Sequence, residues 1–158
     1  MRIAIYCLAL AVTFPLFAQR HTAYGELGGN GLLLTANYER RFSPHVAGRI
    51  GFSFVEVEED SSGDTDPVFI VPLMVNYLTH PQLNHHLELG AGVTIAVGET
   101  SGWASDIDED FSAVIGTATI GYRYQRPERG FVFRAGLTPF FDGDGIAPWA
   151  GVSFGYGW

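Results

Sequence analysis

The stretch that decides the fold is GVSFGYGW, residues 151–158. Val152, Phe154, Tyr156 and Trp158 alternate with Gly151, Ser153, Gly155 and Gly157, a period of two that belongs to a β-strand with one bulky apolar face and one nearly bare face. Terminal segments of water-soluble domains usually fray in polar residues. Here the apolar alternation runs on to Trp158. What the bulky face touches has to be read from the rest of the chain.

The composition narrows the choices. The length of 158 residues suits one domain, and 47% hydrophobic residues would suit an ordinary core. Glycine is abundant at 20 residues, aromatics reach 14%, and charged residues are only 16%. Soluble domains carry roughly 25% charged residues. Lysine is absent, so all nine side chains counted as Lys or Arg are arginine, and the net charge of −8 argues against nucleic acid as a partner.

Residues 1–18 read as a secretory signal peptide, with Arg2 as a short positive region, an apolar run from Ile3 to Phe17, and Ala18 as the small residue before the cut. Pro15 interrupts a run already short for a membrane anchor. Cleavage would remove Cys7, the single cysteine, and leave a mature domain over 19–158 without disulfide or thiol chemistry. The longest later apolar run, PVFIVPLMVNYL (67–78), contains two prolines and falls short of the about 20 residues that a spanning helix needs. A membrane location therefore requires β-structure.

The turn signals predict that structure. SPH (43–45), THPQLN (79–84) and RPERG (126–130) are short, whereas EEDSSGDTD (58–66) and ETSGWASDIDED (99–110) are longer and acidic, and DGDG (142–145) is acidic within a longer polar connection between strands 131–141 and 147–158. Short and long connections alternate, as periplasmic turns and external loops do in outer-membrane barrels. Strands are predicted over 32–42, 46–57, 67–78, 85–98, 111–125, 131–141 and 147–158. An even number is required if both ends lie on the periplasmic side, and HTAYGELG (21–28), turning at Asn30-Gly31, supplies the eighth. Pro72 and Pro139 fall inside predicted strands, where a bulge or local irregularity is expected. The fold expected is all-β, an eight-stranded antiparallel transmembrane β-barrel with short periplasmic turns and longer acidic external loops.

Taking every second residue gives an apolar face that includes Leu34, Tyr38, Ile50, Phe52, Phe54, Leu73, Val75, Leu89, Ile120, Tyr122, Phe131 and Phe133, broken only by Arg40 at a strand end. The opposite face carries Glu26, Glu39, Arg49, Glu88, Arg123 and Arg134. A register slip of one would turn these charges to lipid, at about 2–4 kcal/mol for each arginine at mid-depth. The bulky stripe therefore faces lipid, with Trp158 in the periplasmic aromatic girdle.

Val152, Phe154, Tyr156 and Trp158 resemble the C-terminal β-signal by which outer-membrane barrels are recognised for assembly, with Ser153 where glycine is frequent. Length, leader and turn rhythm resemble the small eight-stranded barrels of the OmpA/OmpX type. NYERRF (37–42) and HHLELGAG (85–92) are similar to segments of small outer-membrane barrel proteins of unassigned function. The resemblance implies a location in the bacterial outer membrane, with membrane lipid, lipopolysaccharide and the barrel-assembly machinery as partners. It names no external partner.

The six interior charges are expected in one layer of the lumen, Glu39 beside Arg49, Glu88 towards Arg123, and Arg134 across the last strand from Glu26. Equal numbers of both signs read as a structural plug, because an eight-stranded barrel is only wide enough inside for side chains; a selectivity ring is the alternative. The outer half, lined by Gly51, Ser53, Gly92, Thr94, Thr117 and Thr138, has room for water or an inward-folded loop.

The external loops gather acids without arginine or histidine. Asp106, Asp108 and Asp110 have the alternate spacing that opens a Ca²⁺ loop, but Phe111 and Thr117 stand where its glycine and closing glutamate belong. Ca²⁺ or Mg²⁺ held with lipopolysaccharide phosphates is one reading, and solvated acidic loops the other. His80, His85 and His86 flank one turn, but adjacent His85 and His86 point to opposite faces, which leaves a polar rim rather than a zinc site. No cofactor and no catalytic set is expected. The function expected is a non-enzymatic barrel of envelope structure or surface interaction. A lipid-modifying outer-membrane enzyme and a narrow transporter for small apolar solutes are the alternatives.

Overall fold

Residues that alternate bulky and small every second position form strands, and the prolines and glycines between them set where the strands end. In the computed structural model, which describes residues 21–58, 65–99, 110–143 and 145–158, the elements are β1 His21–Gly28, β2 Leu34–Arg41, β3 Val46–Glu58, β4 Thr65–Leu78, β5 His85–Glu99, β6 Asp110–Gln125, β7 Gly130–Leu137, β8 Phe140–Asp142, β9 Gly145–Ala147 and β10 Ala150–Gly157. All pairings are antiparallel, in the order β5-β4-β3-β2-β1-β10-β7-β6, and β6 closes on β5. The 1–18 leader lies outside the described residues.

Ten strands make eight staves. Leu137 pairs with Ala150 and Phe140 with Ala147, so the register between the seventh and eighth staves is the same on both sides of a break at Thr138-Pro139 and Pro148-Trp149. β7 with β8 is thus one stave, and β9 with β10 the next. The irregularity expected at Pro139 is this break, and the predicted strands 131–141 and 147–158 are each divided by it. Pro72 behaves differently. Ile50 pairs with Leu73 and Ser53 with Ile70, the same register, so the β3–β4 ladder lapses opposite Pro72 without the extra residue of a bulge.

The first turn also departs from a two-residue hairpin. Gly28 and Gly29 take left-handed φ values of 70° and 72°, Gly29–Gly31 forms one 3-10 turn, and Leu32 follows at φ 73°. β2 consequently starts at Leu34 rather than at 32. Glycine suits position 29 because its φ of 72° would strain any other residue, and a Cβ there would also crowd the Glu26 carboxylate inside the barrel. The turn dips into the lumen, and Gly29, Asn30 and Gly31 are buried.

The alternation sorts the faces as the sequence requires. Tyr38, Phe52, Phe54, Val75, Leu89, Ile120, Phe131 and Phe154 are exposed on the outside, while the buried residues are mostly polar or charged. This inverts a water-soluble core. A spanning strand needs about 9–11 residues, and β3 to β6 have 13 to 16. Short turns and the His21 and Trp158 ends share one rim, and the longer loops share the other.

Candidate functional site: the lumen

Glu26, Glu39, Arg49, Glu88, Arg123 and Arg134 all point inward and are at most 4% exposed. Strand register puts Glu39 opposite Arg49, as the sequence reading expects, and Arg123 opposite Arg134. The ion pairs do not follow the register. Arg49 pairs with Glu26, two staves away, by its Nη2 on Oε2. Arg134 grips Glu88 with two bonds, Nε to Oε2 at 2.8 Å and Nη2 to Oε1 at 2.6 Å, and lies 3.8 Å from Glu26. Arg123 lies 3.7 Å from Glu88 and reaches Glu39 on the opposite wall at 2.6 Å.

The pairs join into one chain of alternating sign, Arg49–Glu26–Arg134–Glu88–Arg123–Glu39. Glu88 does approach its neighbour Arg123, and Arg134 approaches Glu26 across the last stave, but the pairing of Glu39 with Arg49 fails for a geometric reason. Long side chains on adjacent staves leave the wall side by side, so their ends meet groups converging from across a narrow lumen. The same arrangement separates two cationic neighbours, because Glu88 sits between the guanidinium groups of Arg123 and Arg134. Removing charges from water is costly; Arg134 meets Glu88 with two hydrogen bonds, whereas Arg123 is held by ion contacts and makes no well-aligned hydrogen bond among the described residues.

Uncharged groups complete the layer. Asn37 accepts from Arg49 Nε at 2.9 Å, Asn76 donates to Glu39 at 3.1 Å, and Ser153 donates to Glu26 at 3.1 Å. Every stave therefore contributes a polar side chain. The Tyr24 ring lies under two guanidinium groups, with Arg134 at 4.6 Å and Arg49 at 5.6 Å from its centroid. Sequence reading passed over Tyr24, although it stands two residues from Glu26 and so shares its face. Towards the short-turn rim, Arg41 donates to Gln125 at 3.1 Å and Gln125 to Thr22 at 3.4 Å.

Above this layer the inward turn fills the outer half. Asn30 Nδ2 donates to Thr117 Oγ1 at 2.6 Å and to the Ala118 carbonyl at 3.1 Å. Its Oδ1 accepts from Thr119 and from Arg49 Nη1, both at 3.1 Å, and its backbone carbonyl accepts from Thr94 at 2.8 Å. An inward loop is thus the occupant of the space lined by small residues. Asn30 was readable only as a hairpin residue; Gly28, Gly29 and Gly31 around it were the signal that the backbone there needs unusual freedom. Beside Glu26, Glu88 and Arg134 a cavity of about 10 Å³ remains, room for at most one water.

The other predicted residues lie elsewhere. Phe154, Tyr156 and Trp158 are exposed on the outer wall and Val152 is half-buried there. Asp106 and Asp108 lie outside the described residues, as does the side chain of Asp110. His85 faces outward and bonds Tyr122 Oη at 2.6 Å, whereas His86 is buried in the lumen against the Thr79 carbonyl at 2.7 Å. His80 is exposed in the turn between β4 and β5, apart from both. Among the described residues no three His, Cys, Asp or Glu side chains are grouped to hold a metal.

No protein-family model and no curated relative matches the sequence. Solved structures with the same fold are the N-terminal β-barrel domain of Pseudomonas aeruginosa OprF, at TM-score 0.62 and 15% identity over 89% of this chain and 96% of that one, and the Yersinia pestis outer membrane protein Ail in a phospholipid bilayer nanodisc, at TM-score 0.51 and 13% identity over 89% and 99%. The fold is that of the eight-stranded outer-membrane barrels.

Proposed function

We propose that the chain is a non-enzymatic barrel of the bacterial outer membrane, with a sealed lumen, that serves envelope structure or surface interaction through its long loops. The observation that carries this reading is the occupied interior: the alternating chain of six charges fills one half and the Asn30 turn fills the other. The apolar outer wall supports contact with membrane lipid, and the acidic external loops support contact with lipopolysaccharide phosphates bridged by divalent cations. The stripe from Val152 to Trp158 is the expected element for recognition by the assembly machinery.

A lipid-modifying activity would need a nucleophile and base near the outer leaflet. His21, His45, His80, His85 and His86 all belong to the short-turn end of the barrel, which favours a non-enzymatic role. In planar bilayers the purified barrel is expected to give no stable current steps. In cells, excision of 59–64 or 100–109 is expected to alter adhesion or envelope resistance without loss of the folded barrel. Steady conductance together with unaltered envelope phenotypes would overturn the proposal in favour of transport.

A further inference from the structure

The outer wall is not uniform. Across β6, β7 and β10 it is filled by contacting rings, with Tyr122, Phe133, Phe154 and Phe131 in succession at centroid distances of 5.3 to 6.4 Å. Across β2 to β5 it carries a shallow, open groove of about 530 Å³, and a smaller one of about 420 Å³ lies beside Leu137, Trp149 and Ala150. The floor of the larger groove follows one register row, Arg40 opposite Gly48, Gly48 opposite Val75, and Val75 opposite Ala91. Tyr38, Ile50, Leu73 and Val93 form the row above it. The Phe42 ring lies over Gly48 in that row, where a Cβ would meet it at 2.6 Å, so it bounds the groove on the side of the short-turn rim.

The row is inclined in depth. Arg40 is next to the end of β2 at the short-turn rim, whereas Ala91 lies near the middle of β5. The groove therefore starts beside an exposed cation at the rim and ends in the hydrocarbon zone. A phospholipid has the same polarity, with phosphate at the surface and acyl chain inward. Arginine matches phosphate in charge and donor geometry, and Tyr38 adds a hydroxyl, bonded to His21 Nδ1 at 2.6 Å, on the same edge.

We propose that this groove is a specific lipid site. It holds one acyl chain of a phospholipid from the leaflet at the short-turn rim, with the lipid phosphate at Arg40. The site rests on the membrane-barrel reading above, and the test separates the two. The full chain is folded into micelles containing phosphatidylglycerol, checked for heat-modifiable migration on gels, and its retained lipid is counted by native mass spectrometry as detergent is raised. The unsubstituted barrel is expected to keep one lipid. Ala91→Phe, which fills the floor, and Arg40→Gln are each expected to lower retention at least tenfold, while Phe154→Leu in the ring-filled wall leaves it unchanged. Diacylglycerol, which lacks phosphate, should bind weakly to the parent and be insensitive to Arg40→Gln. If Ala91→Phe does not fold, Ala91→Leu and Arg40→Gln decide.

Equal retention by all folded variants would overturn the site and leave the barrel standing. A dimer that Ala91→Phe abolishes would show a second copy of the chain in the groove, and would overturn it too. Absence of heat-modifiable migration in the parent would overturn the barrel and the site together.

Discussion

The two faces of one strand obey opposite rules. In β2, Asn37 and Glu39 point inward and are buried among partners, while Ala36 and Tyr38, which alternate with them, point outward and are exposed. Inward, a side chain is worth what its hydrogen-bond partners make it worth, and deletion of one partner strands a buried charge. Outward, what matters is the cost of bringing any polar group into lipid. The first face tolerates no loss; the second tolerates no gain.

Substitutions of each kind should therefore fail for different reasons. The largest effect is expected from Glu88→Ala, which leaves Arg123 and Arg134 as facing cations without the carboxylate between them. It should cost about 3–5 kcal/mol, read as the urea midpoint of the barrel in liposomes. Phe52→Arg puts a charge near mid-depth on the outer wall and removes the stacking on Phe69 at 5.9 Å. A loss of about 2–4 kcal/mol is expected in the same titration, with a much smaller loss for Phe52→Leu. Equal losses for these two would mean that the outer wall is not in lipid.

Asn30→Ala sharpens the comparison within the lumen, because the outer half depends on neutral bonds rather than ions. Unpairing Thr117, Thr119 and one Arg49 bond should cost about 1–3 kcal/mol. Amide hydrogen exchange should then speed up over 28–33 while β2 and β6 stay protected. The smallest effect belongs to Arg126→Gln at the exposed rim, where Tyr124 Oη is the partner at 3.3 Å; a shift within about 0.5 kcal/mol is expected.

The sequence made the faces readable because alternation is local. Glu26, Glu39 and Arg134 each sit among inward neighbours two residues away, and no packing detail can change that. Strand ends at Arg41, Leu78 and Gln125 were equally local, set by the short turns that follow. The partners were not local. Whether Arg49 meets Glu39 or Glu26 depends on the width of the lumen and on where β1 stands around the ring, quantities that no single strand encodes. The Asn30 turn shows the same limit. Gly28 to Gly31 signal unusual backbone, but only the closed barrel gives Asn30 something to bond to inside. Pro139 and Pro148, read one at a time, gave no hint that they break two neighbouring staves at one height.

The pair that reaches across the whole lumen tests the account most directly. Arg123 on β6 and Glu39 on β2 face each other from opposite walls at 2.6 Å. A double-mutant cycle with Arg123→Met, Glu39→Gln and the double variant, followed by urea unfolding in liposomes, measures their coupling. The closed, charge-sealed barrel predicts a coupling of about 1–3 kcal/mol. Additive effects, with no coupling, would contradict it.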